Sequence, residues 1–370
     1  KHKNPGLQKY ALDCVLNYKN KSIVPYKTNL HNLVDEKKLK EELTLFKITE
    51  DSKNIHPEDR EHVVPIILRI LYGKMTSKLG ADKKGGGQAR RSLVMRYIAG
   101  CNENELNFFI EMAFSHFTQY MTMKPKEILD TVASNLDLKS IISPGKLHSV
   151  LNLFEVVREY FGGYMKDELL SQLFTVFYAV CSTVAKVLAQ GDKVHIGYAK
   201  VMKNLRTLAL STVRKLFEQF DKYSWQKDEL YVIFETLLWP MIPKLHIEGI
   251  HSPTVLLKLF NTWCLNPRYY ILLVTCSEKD SLSPLPAIFR LLMAPKTTTG
   301  VVNMILDMIE KLLTLTEDEE DKEIAPIETF NSLVADKDGI AKESNNINFG
   351  SKVLIPHIPN ILEVMKRRIA

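Results

Sequence analysis

Proline recurs in this chain behind a bulky or β-branched apolar residue and ahead of an apolar stretch. The pattern occurs at Ile23-Val24-Pro25, at Val64-Pro65-Ile66-Ile67-Leu68, at Leu238-Trp239-Pro240-Met241-Ile242-Pro243 and at Leu354-Ile355-Pro356-His357-Ile358-Pro359. Proline lacks an N–H and holds φ near about −65°, so it begins a helix at no hydrogen-bond cost. In the last two instances Leu238, Pro240, Ile242, Pro243 and Leu245 are matched, 116 residues on, by Leu354, Pro356, Ile358, Pro359 and Ile361. The first two prolines lie 40 residues apart. Those distances approximate three units and one unit of a HEAT-type repeat, which runs about 40 to 47 residues. Repeated start signals predict helix pairs stacked on one another, an all-α chain forming an α-solenoid of HEAT or armadillo-like helical repeats. Such a stack is a surface for holding partners rather than a pocket for converting substrates.

Helical periodicity supports the class. Leu147, Val150, Leu151, Phe154, Val157 and Phe161 follow the i, i+3, i+4, i+7 rule, as do Leu205, Leu208, Ala209, Thr212, Leu216 and Phe220. Turn and cap residues cluster at 50–57, 80–87, 136–145, 191–197, 249–253, 277–286 and 316–326, a spacing that suits helix pairs. No Gly/Ser linker divides the chain, so residues 1–370 read as a single continuous helical-repeat segment. The start at Lys1 without an initiator Met reads as a fragment of a much larger protein. The apolar fraction of 45% with 25% charged residues is that of a folded chain. The most membrane-like stretch, 173–189, is interrupted by Thr175, Ser182, Thr183 and Lys186 and reads as a helix buried on both sides, with no membrane role. Cys14, Cys101, Cys181, Cys264 and Cys276 show no metal-ligand or disulfide spacing and are expected to be buried thiols in a reducing compartment.

Charge is concentrated locally. Between Arg69 and Arg96 stand Arg69, Lys74, Lys78, Lys83, Lys84, Arg90, Arg91 and Arg96 against the single acid Asp82, a net of +7 where the whole chain is +6. The glycines at 80 and 85–87 predict a flexible basic loop over 80–88 that adapts to an irregular polyanion. The alternative is a loop kept soluble by its charge. No aromatic lies between Gly73 and Arg96, so a backbone-tracking, salt-sensitive contact is expected rather than base stacking. A second basic face comes from Lys200, Lys203, Arg206 and Arg214, which fall within about 120° of one another on a helix. No Asp or Glu occurs from Val194 to Phe217. The run at 317–323 is acidic and predicts a solvated, mobile connection.

Catalytic patterns are lacking. Gly80 to Gly85 has P-loop spacing, but Gly86 and Gly87 stand where Lys and Ser or Thr are required, and Arg90 takes the third glycine position of a dinucleotide fingerprint. His246, Glu248 and His251 do not have the spacing of a metalloprotease helix. Trp225, Trp239, Trp263, Tyr269 and Tyr270 are spaced as core filling. No metal, cofactor, small-molecule substrate or enzymatic role is expected.

Three strings are more specific: residues 10–19, Tyr-Ala-Leu-Asp-Cys-Val-Leu-Asn-Tyr-Lys, with Val24-Pro25-Tyr26-Lys27; Val64 to Met75; and Val353 to Leu362. They resemble the down-regulated-in-metastasis family, the large helical-repeat subunit of the small-subunit processome, with weaker similarity through 205–220 and 239–270. The resemblance implies a non-catalytic nucleolar scaffold in early 18S ribosomal RNA processing. It implies association with pre-ribosomal RNA, the box C/D small nucleolar ribonucleoprotein and processome assembly proteins. It supplies no residue-level RNA contacts, so the cations named above rest on charge alone. The competing readings are an importin or adaptor-type solenoid that binds proteins only, and an all-α enzyme, which would need a convergent set of titratable groups.

Overall fold

A computed structural model describes residues 4–76, 86–135, 137–138, 142–163, 165, 167–278, 280–316, 326–328 and 348–369. The described residues are all-α, with no β-strand among them. They divide into two compact units, Lys1–Met121 with Asn152–Leu173, and Thr122–Leu151 with Phe174–Ala370. The acidic run 317–323 lies outside the described residues, as do Lys78, Lys83 and Lys84.

The first unit holds α1 (Pro5–Asn17), α2 (Lys27–Val34), α3 (Leu39–Leu45), α4 (Arg60–Thr76), α5 (Gly86–Ile98) and α6 (Glu103–Ala113). Helix α1 packs on α2, α2 on α3 and α4, α3 on α5, and α4 on α5 and α6. Local chemistry sets the starts. Asn4 accepts from the Gly6 N–H (2.8 Å) ahead of Pro5, and Asn102 and Glu105 form a reciprocal capping box at α6 (3.1 and 3.0 Å). Val24–Tyr26 is a 3₁₀ turn carrying Pro25 straight into α2, as the sequence pattern predicts. At Pro65 the structure corrects that pattern, because the helix already begins at Arg60 and Pro65 lies inside it. The carbonyl that Pro65 leaves without an intrahelical donor belongs to Glu61, an exposed residue of the helix. Helix α5 likewise begins at Gly86, so 86–88 is helical rather than the end of a loop.

The core of this unit is a stack of helix faces. Leu30, Leu33, Val63, Val64, Ile67, Leu68, Leu71, Phe109 and Ile110 are sealed from solvent, and Phe161 meets Phe109 edge-on at 6.1 Å. Arg60 crosses it, bonding Glu105 through Nε (2.9 Å) and Nη2 (2.7 Å) and the Ile48 carbonyl through Nη1 (2.8 Å).

Along the chain then follow α7 (Pro125–Ser134), α8 (Pro144–Phe161), α9 (Asp167–Leu188), α10 (Ile196–Gln219), α11 (Lys227–Ile233), α12 (Leu245–Glu248), α13 (Val255–Cys264), α14 (Tyr270–Leu273), α15 (Pro284–Met293), α16 (Thr299–Thr314), α17 (Phe349–Leu354) and α18 (Ile358–Ile369). In the second unit α7 packs on α11, α10 on α13, α12 on α15, α13 on α16, α15 on α16 and α18, and α16 on α17. Helix α9 is long and apolar enough to cross a membrane, yet 78% of that window is buried inside the fold, the environment of a core helix. The five aromatics expected as core are core: Trp225, Trp239, Trp263, Tyr269 and Tyr270 are all buried, and Trp225 stacks on Phe217 (4.5 Å) and Phe174 (5.7 Å). Among the cysteines Cys181, Cys264 and Cys276 are buried, whereas Cys101 is half-buried and Cys14 exposed, because Cys14 falls on the side of α1 opposite Leu12 and Leu16.

Candidate polyanion-binding surfaces

Folding sorts the cations of the basic segment into those already engaged and those left free. Lys74 is 1% exposed; its Nζ donates to the Val34 carbonyl and to Glu36 Oε1 at 2.7 Å. It is therefore a structural residue and not a polyanion contact, because a buried ammonium must be fully paired to be tolerated. Arg90 reaches the other oxygen of the same carboxylate at 3.3 Å, so Glu36 ties the start of α3 to both α4 and α5. Arg91 is exposed, but its Nε donates to the Met75 carbonyl (3.3 Å), one of the orphan acceptors at the end of α4. Arg69 is exposed on α4, where Nη1 donates to the Pro65 carbonyl (2.9 Å) and the guanidinium lies 4.7 Å from the centre of the Phe108 ring. Both retain unused N–H donors. The Arg96 side chain is exposed and forms no hydrogen bond or ion pair with another described residue.

Arg96 stands where two open depressions of about 510 and 420 Å³ meet along the α3–α5 contact. The first is lined by Leu39, Lys40, Ala89 and Leu93 beside the Glu36–Arg90 pair, and the second by Leu43, Lys47, Ile48, Leu93 and Tyr97. The side chains of Lys40 and Lys47 are exposed and, like that of Arg96, make no bond to a described residue. The charge reading missed these two lysines. Lys40 lies on α3 and Lys47 in the segment just after its end, and net charge overlooks them because Glu41 and Glu42 intervene. Glu42 is itself buried and accepts from Asn29 (2.7 Å) and Asn32 (2.8 Å), so it does not face the depression. At the far end Gly100 allows the chain to approach closely: a Cβ there would lie 2.6 Å from Thr49 Cγ2.

The second basic face is unevenly exposed. Lys200 and Lys203 are exposed on α10 and make no bond to a described residue. Arg206 is half-buried, and burial lowers the pKa of its guanidinium while Glu248 opposes that shift. Arg214 pairs with Glu218 at 2.7 Å, and Glu218 also accepts from Thr262 (3.2 Å), so Arg214 fastens α10 toward α13. Arg206 is thus partly covered and Arg214 partly engaged by Glu218, so the two offer less open charge than Lys200 and Lys203.

Among the described residues no group of His, Cys, Asp or Glu is placed to hold a metal ion. A family model described as "U3 small nucleolar RNA-associated protein 20, N-terminal" matches residues 1–370. Two proteins named U3 small nucleolar RNA-associated protein 20 are similar to the chain. That of Saccharomyces cerevisiae is 26% identical over 275 residues, covering 72% of this chain and 10% of that protein. That of Schizosaccharomyces pombe is 28% identical over 280 residues, with the same 72% and 10% coverage. The chain spans about a tenth of the length of the curated relatives it matches.

Proposed function

The chain belongs to the family of the N-terminal region of U3 small nucleolar RNA-associated protein 20, and on that premise we propose that it is a non-catalytic scaffold segment of the small-subunit processome. In this reading it works in the nucleolus in early 18S ribosomal RNA processing and 40S subunit biogenesis, beside the box C/D small nucleolar ribonucleoprotein. The family match across all 370 residues is the observation that carries it. The resemblance to the down-regulated-in-metastasis family and the HEAT-like repetition belong to the same reading.

The mechanism is positional. Helix faces hold assembly proteins, and pre-ribosomal RNA lies against exposed cations that retain free donors: Arg69 and Arg91 in the first unit, Lys200 and Lys203 in the second. Lys78, Lys83 and Lys84 join them on their charge alone. Many weak phosphate contacts of this kind are tolerant of sequence and sensitive to salt. Crosslinking the protein to RNA in cells, with the linked residues mapped by peptide, tests this. Links to precursor ribosomal RNA on peptides carrying 69–96 or 200–203 are the expected result. Recovery of the protein in processome particles with no link on either stretch would make it a binder of proteins only.

A further inference from the structure

The trough between α3 and α5 has cationic edges and an apolar floor, and a phosphate backbone would use only the edges. We propose that it seats an acidic amphipathic helix from a partner protein, with apolar side chains on the floor and carboxylates against the edges. The proposal rests on the scaffold reading only in that an assembly factor would supply the helix. The floor is the half-exposed Leu93 on α5, set over Leu39 and Leu43, one turn apart on α3 and themselves buried. Lys40, Lys47 and Arg96 stand at its edges with no anionic partner among the described residues. Glu36, the one acid in the lining, is already held by Lys74 and Arg90.

Nine helical steps from Ala89 to Ile98 at about 1.5 Å each make a trough about 14 Å long, two and a half turns of a partner helix. That length takes two or three apolar anchors at i, i+3 or i+4, and i+7. RNA is the poorer occupant. The aromatic ring in the lining, Tyr97, is 8% exposed and its hydroxyl donates to the Phe46 carbonyl (2.8 Å), so it cannot serve as a stacking platform. A second copy of the chain is also disfavoured, since an isologous contact would set the same three cations against one another.

Fluorescence anisotropy on the whole chain with two labelled probes decides between them. One is a peptide of about 16 residues with leucines at helical spacing and flanking glutamates; the other is an oligouridine of matched net charge. The peptide should bind, and the Lys40→Glu, Lys47→Glu, Arg96→Glu triple variant should weaken it at least about tenfold. Leu93→Ser should weaken the peptide comparably and leave oligouridine binding unchanged, and Leu93→Met should restore it. Circular dichroism confirms that each variant is folded, and the charge reversals, all on exposed side chains, keep the test available should Leu93→Ser unfold. No peptide binding, or peptide binding indifferent to both changes, would overturn the proposal. So would a triple variant that loses oligouridine but keeps the peptide, which would give the trough to RNA. Neither probe involves processome particles, so failure here and failure of the in-cell crosslinks are separate results.

Discussion

Replacing Glu229 with glutamine should remove a defined part of the pH dependence of stability. Glu229 is 1% exposed, three residues into α11. One carboxylate oxygen accepts from the Gln226 N–H (2.9 Å) and the other from the Tyr223 hydroxyl (3.0 Å). Burial raises its pKa from 4.5 to about 7, against the pull of these donors and of the Tyr178 hydroxyl. Below pH 4.5 the carboxyl is protonated in folded and unfolded chains alike and contributes no pH dependence. Between 4.5 and about 7 the unfolded chain releases the proton first, so stability falls as pH rises; above 7 both states are ionised and the loss is complete. At about 1.4 kcal/mol per pH unit the loss is about 3 kcal/mol. Glutamine keeps the shape, accepting from Gln226 and donating to Tyr223, and does not titrate. Urea unfolding followed by tryptophan fluorescence suits the measurement, because all three tryptophans lie in the second unit and Trp225 packs on Tyr223 at 5.1 Å. The stability difference between variant and parent should shift by about 3 kcal/mol in the variant's favour from pH 4.5 to 8. A difference that stays constant across that range would refute the reasoning, since other titrating groups are common to both proteins and cancel.

Lys74→Ala should cost about 3 to 5 kcal/mol by abandoning a buried carbonyl and its share of Glu36, while leaving the salt dependence of RNA binding unchanged; denaturation and filter binding read the two separately. Glu105→Ala should cost a similar amount, because it strands the buried Arg60 guanidinium and removes half of the α6 capping box, and a fall in the unfolding midpoint measures it. Gly350→Ala should loosen α17 from α16, since a Cβ there would lie 2.0 Å from the Leu312 carbonyl oxygen; a loss of about 1 to 3 kcal/mol and faster amide exchange in 349–354 are expected.

Much of the fold was legible because the physical cause is local. The apolar stripe over 147–161 and that over 205–220 are helix faces, with Leu147, Leu151, Phe154, Leu205, Ala209 and Leu216 all buried, and the breaks at 191–197 and 277–286 are where α10 and α15 begin. Pro25 starts its helix because α1 has already ended at Asn17, whereas Pro65 does not, since Pro57–Asp59 has already turned the chain and Arg60 begins the helix five residues earlier. A local rule cannot see that a better start precedes it. The candidate sites were less legible for a related reason: whether a lysine is free depends on acids far away in sequence, and Glu36 is 38 residues from Lys74.

Formal charge and available charge are thus different quantities, and only the second binds anything. Among the five described cations of the basic segment, Lys74 and Arg90 share Glu36, Arg91 caps α4, and Arg69 is partly held by the Pro65 carbonyl, which leaves Arg96 wholly free. Folding then supplies Lys40 from α3 and Lys47 from the segment after it to stand with Arg96. If three phosphates met these three cations, the logarithm of affinity for a single strand would fall with the logarithm of salt at a slope of about −2, against about −6 if all eight basic residues between 69 and 96 were engaged. The slope therefore separates a surface assembled by the fold from one spelled out along the chain, even before any contact is mapped.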